Sequence, residues 1–278
     1  MSDKILKPED YAEPRCLLCD EPYGAEPEVR PIPQDRVLQK VDEYMSRRDY
    51  AGVERTLKYW LNEAQLGHDL RGELTLRNEL VGHFRKVNDR DQAFEHIDAA
   101  LELLPKLNFE GTVSAGTTYT NCATAYNAFG ENEKSLALFE KARAAYESNT
   151  RTDAKLLGGL YNNMALTLTE LKRFDEAWGL YDHALKVMDK VPAGELEQAI
   201  TYLNMADLHY VEQGTGLVDD DIERYMERAY ALFDLPDIPR DGYYAFVCEK
   251  CAPTFEWYGE DEKAADLKAR SEELYERS

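Results

Sequence analysis

The sequence contains an internal repeat with a fixed interval. Three five-residue segments share the order aromatic, variable, Asn, apolar, Ala; they begin at Tyr119, Tyr161 and Tyr202, at intervals of 42 and 41 residues. An interval of this size is the sign of an architecture that stacks copies of one supersecondary unit, because a single copy cannot bury its own apolar surface. The repeat therefore constrains the fold more than any other feature of the chain.

Each copy of the repeat predicts a helical hairpin. Each segment is followed by a turn and a second apolar pattern, and apolar residues recur at the three- and four-residue spacing of an amphipathic α-helix. When the register is extended, the small or apolar residue of each first helix falls at Val41, Val81, Ala123, Ala165, Ala206 and Ala252. The sequence thus predicts an all-α fold, an α-solenoid of about six antiparallel helical hairpins. The last interval is 46 residues, which predicts a loop insertion at Gly214–Asp221.

The spacing of aromatic and small residues in these hairpins resembles the tetratricopeptide repeat, and residues 160–185 fit that pattern best. The interval is longer than the roughly 34 residues usual for the family. In this respect the sequence is similar to kinesin light chains and to some bacterial peptide-sensing regulators. The resemblance implies a right-handed solenoid whose first helices line a concave groove that binds a protein or peptide segment.

The first 33 residues differ in composition from the rest of the chain. Six of the eleven prolines lie there, and proline lacks the amide donor that helices and central strands require. The predicted organisation is a proline-rich extended arm over residues 1–33 and a helical solenoid over residues 34–278 that ends in a polar capping helix.

The charge of the chain limits the classes of partner. Thirty-three basic residues against 54 acidic ones give a net charge of −21, which repels phosphate backbones and anionic lipid headgroups. Nucleic acid and membrane are therefore poor candidates, and the expected partner is a protein or peptide segment. The sequence shows neither a signal-like nor a membrane-spanning apolar run, so a cytoplasmic location is expected.

A ladder of asparagines is the leading candidate site. Asn121, Asn163 and Asn204 supply one carboxamide per hairpin, and a carboxamide both donates and accepts hydrogen bonds, so the row could pair with an extended peptide backbone. The predicted peptide-binding residues are Asn78, Arg85, Thr120, Asn121, Thr124, Asn162, Asn163, Asn204, Asp207 and Tyr210. The alternative is that the asparagines bond between neighbouring repeats and only fix their stacking.

Two other functions remain open from the sequence. The CxxC pairs Cys16/Cys19 and Cys248/Cys251 have the spacing of a zinc or redox site, although the second pair falls in the buried register of a first helix. Aromatic residues of the terminal hairpins also allow self-association as a homodimer.

No phosphate-binding, dinucleotide-binding or nucleophile motif occurs, so neither catalysis nor a cofactor is expected. His209 is interpreted as a core or interface residue. Asp219–Asp221 is interpreted as a solvated loop that caps the following helix.

Overall fold

Residues 28–276 are described by the computed structural model, and they form twelve α-helices and no β-strand. The helices are α1 (Gln34–Ser46), α2 (Tyr50–Leu66), α3 (Leu70–Lys86), α4 (Arg90–Lys106), α5 (Val113–Ala128), α6 (Asn132–Glu147), α7 (Ala154–Glu170), α8 (Phe174–Met188), α9 (Glu195–Gln213), α10 (Asp220–Phe233), α11 (Gly242–Trp257) and α12 (Asp261–Glu276). This confirms the all-α prediction. Residues 1–27, which include most of the predicted arm with Cys16 and Cys19, lie outside the described residues.

The turn inside most hairpins is a recurring three-residue link. Its middle residue has a left-handed backbone with φ between 56° and 79°. These middle residues are Arg48, Asn88, Gly130, Lys172 and Gly259. In each link the following amide donates to a carbonyl of the preceding helix, as Glu131 N does to Tyr126 O at 2.9 Å and Arg173 N to Leu168 O at 2.8 Å. This hydrogen bond and the left-handed residue form a Schellman motif, which ends the first helix and returns the chain antiparallel to it.

The chain divides into two compact units, Met1–Leu76 and Arg77–Ser278. In the first unit, α1 and α2 bury an aliphatic core formed by Val37, Val41, Val53, Leu57, Leu61 and Ala64. The segment before α1 is held by Ile32 N, which donates to the buried Asp69 carboxylate at 3.0 Å. Asp69 also accepts from Gly72 N at 2.9 Å.

The second unit is a stack of hairpins. Helix α5 packs on α6, α7 on α8, α9 on α10 and α11 on α12. The second helices α6 and α8 pack against the following first helix, and the first helices α5, α7, α9 and α11 pack against one another in order. At the predicted small-residue positions, Ala123, Ala165, Ala206 and Ala252 are fully buried, because close approach of paired helices leaves no room for larger side chains.

The insertion predicted at Gly214–Asp221 is present between α9 and α10, but it ends at residue 219 because Asp220 and Asp221 already belong to α10. This connection, residues 214–219, is twice as long as the three-residue link between α7 and α8, and α9 itself has 19 residues against 17 in α7. The extra residues therefore lengthen the helix as well as the loop. Gly214, at φ 62°, ends α9 in a left-handed conformation.

The last helix is largely polar, and its role as a cap stays a prediction. Its buried residues are Ala264, Leu267 and Ser271, whereas Lys268 is exposed and bonds to Glu256 at 2.5 Å. Among the described helices, none combines the length and the apolar character that a bilayer crossing requires.

Candidate functional site

One face of the first helices is left uncovered by the second helices. We call it the inner face and define it by the half-buried and exposed residues of α5, α7 and α9 that follow each other at three- and four-residue spacing. These are Thr117, Asn121 and Thr124 on α5, Asn163, Leu166 and Glu170 on α7, and Asn204, Asp207 and Val211 on α9. The helix period places them away from the fully buried Ala123, Ala165 and Ala206, which face the paired second helix.

Two of the ladder asparagines bond to an asparagine of the preceding first helix. The Asn121 amide donates to Asn78 Oδ1 at 3.4 Å, and the Asn78 amide donates to Thr118 Oγ1 at 3.1 Å. These contacts join α3 to α5.

The same network recurs two hairpins later. The Asn204 amide donates to Asn162 Oδ1 at 3.5 Å, and the buried Asn162 amide donates to Thr201 Oγ1 at 2.9 Å, which joins α7 to α9. The inter-repeat bonding considered in the sequence analysis is therefore observed at these two junctions.

Asn163 stands apart from both networks. The position equivalent to Asn78 and Asn162 is occupied by Thr120, whose hydroxyl donates to Gly116 O at 2.9 Å inside its own helix. Asn163 therefore has no asparagine on the preceding first helix to which its amide could donate. Its side chain forms no hydrogen bond to any residue in the described part of the chain. Thr124 likewise directs its hydroxyl to its own helix, at Thr120 O.

The face ends in a carboxylate and two tyrosines. Tyr258, at the end of α11, donates its hydroxyl to Asp207 Oδ1 at 2.8 Å, and its ring meets that of Tyr210 edge-on with centroids 5.7 Å apart. Burial raises the pKa of Asp207, although the hydrogen bond from Tyr258 acts in the opposite direction. Tyr258 was not among the predicted residues, since it lies 51 positions from its partner.

The ten predicted residues are thus distributed over several environments. Asn78 with Asn121, Asn162 with Asn204, and Asp207 with Tyr210 are brought together, whereas Arg85 is exposed in the last turn of α3. Thr118 and Thr201 were missed by the sequence analysis. The signal that could have found them is their separation of 83 residues, which equals the separation of Asn121 and Asn204.

Cys248 and Cys251 lie in the core of the α11–α12 hairpin. Both are buried, and burial raises the pKa of their thiols to about 11 and about 12. Burial therefore disfavours the thiolate, which is the metal-binding and nucleophilic form. Their proposed partners Cys16 and Cys19 lie outside the described residues.

His209, Asp219 and Asp221 form a second polar cluster at the insertion. His209 Nε2 lies 3.0 Å from Asp219 Oδ2 and 3.9 Å from Asp221 Oδ2. Asp219 caps α10 by accepting from Ile222 N at 3.1 Å, which confirms the predicted cap. That amide, together with His209, lowers the pKa of Asp219 to about 2.

These ligand atoms are close enough to reach a single metal ion, and within residues 28–276 no other such group of three occurs. Each member, however, already has a protein partner: Gln213 donates to Asp219 at 2.6 Å, and Arg224 pairs with Asp221 at 2.6 Å. These contacts give the cluster a structural role, because they tie the end of the insertion to α9.

No protein-family model and no curated protein matches the sequence. Solved structures do match the fold. The crystal structure of NprR in complex with its cognate peptide NprX has a TM-score of 0.56 and 16% identity, covering 87% of this chain and 68% of that one.

A Podosopora anserina putative kinesin light chain with nearly identical TPR-like repeats has a TM-score of 0.54 and 13% identity, covering 72% of this chain and 92% of that one. BtubC (BKLC) from P. vanneervenii has a TM-score of 0.50 and 18% identity, covering 88% and 91%. With these neighbours and its own repeated hairpins, the chain has the fold of a tetratricopeptide-like helical repeat protein.

Proposed function

We propose that the protein is a non-enzymatic binding module whose inner face holds an extended peptide or protein segment. The observation that carries this proposal is Asn163, a half-buried carboxamide in the middle of the face that has no hydrogen-bond partner among the described residues. A carboxamide can offer two donors and an acceptor to a peptide backbone. The neighbour solved with its cognate peptide supports a ligand of this class.

The paired asparagines support the same proposal in a different way. Asn121 and Asn204 each use one amide hydrogen on the neighbouring asparagine, and this orients the side chain. Their Oδ1 atoms accept no hydrogen bond from the described residues and so remain available to backbone amides of a ligand. On this proposal the inter-repeat bonds position the binding groups, and the two roles considered from the sequence act together.

The test uses peptides selected on the wild-type protein from a random display library. Asn163→Ala removes one or two ligand hydrogen bonds and no internal one, so we expect affinity to fall about three- to tenfold. The melting temperature should not fall, because alanine also favours the helix more than asparagine does. Isothermal titration calorimetry measures the affinity and thermal unfolding measures the stability.

Gln92→Ala is the matched control, because it removes a partly exposed carboxamide from a second helix, where Gln92 bonds to Glu95. It should leave the affinity unchanged. Selected peptides that bind Asn163→Ala and the wild type equally well would overturn the role of the inner face. The triple replacement of Asn121, Asn163 and Asn204 is less informative, since two of these changes also break inter-repeat hydrogen bonds.

A further inference from the structure

A cleft lies on a different surface, between α6, α7, α8 and the segment that follows α8. Its volume is about 550 Å³. Its apolar lining comes from Ala154, Leu157, Leu180, Val187 and Val191. The inner face uses other residues of α7, so this cleft is a separate site.

The rim of the cleft is basic, in contrast to the rest of the protein. Arg143, Lys186 and Lys190 line it, and the carboxylate among its lining residues belongs to Glu147. In a chain with a net charge of −21, three cations against one carboxylate give the lining of this cleft an excess of positive charge, which favours an anionic ligand.

These positive charges are only partly neutralised by the protein. Lys186 and Lys190 form no ion pair with any residue in the described range, and Arg143 pairs with Glu140 at 2.6 Å. Glu147 accepts a hydrogen bond from the Tyr161 hydroxyl at 3.0 Å. That bond adds to burial in raising the pKa of Tyr161 to about 12. The two lysines therefore remain available to an anion held over the apolar lining.

We propose that this cleft binds a small amphipathic carboxylate, with its apolar chain on the Leu157 and Val187 side chains and its carboxylate at Lys186 and Lys190. The size of the cleft favours a small molecule, because pockets for such ligands have volumes of about 300–1,000 Å³. A protein partner would require about 20–30 residues on each side of the interface. The basic rim favours a negatively charged headgroup over a neutral or positive one.

The test uses decanoate on the full-length protein, below the concentration at which decanoate forms micelles. Calorimetry should give one site per chain, and amide resonances of Leu157 and Val187 should shift on titration. Decanamide, which has the same chain and a neutral headgroup, should bind at least about tenfold more weakly, since it loses a charge-assisted contact. Acetate, which lacks the chain, should not bind detectably.

Lys186→Gln and Lys190→Gln remove the headgroup contacts without breaking an internal ion pair. Each should weaken decanoate binding about tenfold while leaving decanamide binding unchanged. Lys250→Gln is the charge-matched control: Lys250 is exposed on α11 and also makes no ion pair within the described residues. It should bind decanoate like the wild type.

The proposal is overturned if decanoate does not bind, if decanamide binds equally well, or if Lys250→Gln weakens binding as much as the two cleft variants. Equal affinity of Lys186→Gln, Lys190→Gln and the wild type would also exclude it. Because the inner face is separate, a selected peptide should not compete with decanoate, and either proposal can fail without the other.

Discussion

At the residue scale, the buried Asp207 carboxyl on the inner face destabilises the folded protein when it is ionised. Burial raises the pKa of its carboxyl above the ordinary value, so the folded protein binds a proton there more tightly than the unfolded chain does. The cost of the ionised form is present at neutral pH, and it is relieved as pH falls through the raised pKa.

We therefore expect Asp207→Asn to raise the melting temperature at pH 7. The asparagine oxygen can still accept the Tyr258 hydroxyl, so the hydrogen bond survives the change. The difference between variant and wild type should shrink as pH falls from about 7 towards about 4, because the wild-type carboxyl then becomes neutral as well. Thermal unfolding at a series of pH values measures this, and a difference that is constant with pH would contradict the assignment.

Lys172 is destabilising for a different reason, which is strain in its backbone conformation. It occupies the left-handed position of the α7–α8 link at φ 58°, where the equivalent residues include Asn88 and Gly130. Side chains with a Cβ are strained there, and asparagine tolerates the conformation best among non-glycine residues.

We expect Lys172→Asn to increase the free energy of unfolding by about 0.5–1 kcal/mol. Asn88→Lys, at the same position of another link, should decrease it by a similar amount. Chemical denaturation measures both changes. An increase for Lys172→Asn together with a decrease for Asn88→Lys would support a backbone cause. The reverse pair of signs would point to the side-chain charge instead, because the first variant loses a positive charge and the second gains one in a chain of net charge −21.

At the scale of the helices, glycine permits the close approach of paired elements at two equivalent positions. Gly116 on α5 faces Tyr146 of α6, and Gly158 on α7 faces Met188 of α8; an added methyl group would overlap the opposing side chain in both cases. Tyr146 is 2% exposed and its hydroxyl lies 3.0 Å from Thr117 Oγ1, so its ring cannot move away. Met188 is equally buried, but the atom nearest the added methyl group is the terminal methyl of a flexible side chain, with no hydrogen bond to hold it.

The pair therefore predicts opposite tolerance to the same substitution. Gly116→Ala should lower the free energy of unfolding by about 1–2 kcal/mol, because overlap in a packed core outweighs the helix propensity that alanine adds. Gly158→Ala should stay within about 1 kcal/mol of the wild type, since the methionine can rotate and alanine favours the helix. Urea unfolding of both variants measures the contrast, and equal losses would show that Met188 is as fixed as Tyr146.

At the scale of the elements, the sequence predicted the helical hairpins but not the side-chain hydrogen bonds between them. The hairpins were predictable because each first helix repeats an apolar and small-residue pattern every 40–42 residues over five of the six repeats. The position of one ladder asparagine in each of three first helices was also predictable, because it follows from the repeat interval. The hydrogen bonding of these asparagines was not, because the networks repeat every second hairpin: Thr120 replaces an asparagine between Asn78 and Asn162, and this leaves Asn163 unpaired.

At the scale of the whole molecule, the excess of acidic residues has the largest electrostatic effect. The chain has a net charge of −21 over 278 residues, and these like charges repel one another in the compact state. Ionic strength screens this repulsion, with a Debye length of about 30 Å at 0.01 M salt and about 10 Å at 0.1 M.

We expect the melting temperature to rise when sodium chloride is increased from about 10 to about 100 mM. Choline chloride should give the same increase, because screening does not depend on the identity of the cation. A rise with sodium alone would indicate a specific cation site, and the cluster of His209, Asp219 and Asp221 would then be the first place to examine.

The sequence by itself determined the all-α repeat, the register of the buried alanines and the position of the insertion, because periodic packing needs small and apolar residues at fixed intervals. The tertiary structure alone decided which polar side chains are bonded within the protein and which remain available. Asn121, Asn163 and Asn204 look equivalent along the chain, and only the neighbouring helix distinguishes them. The same holds for the basic cleft, whose residues come from α6, α7, α8 and the segment that follows α8.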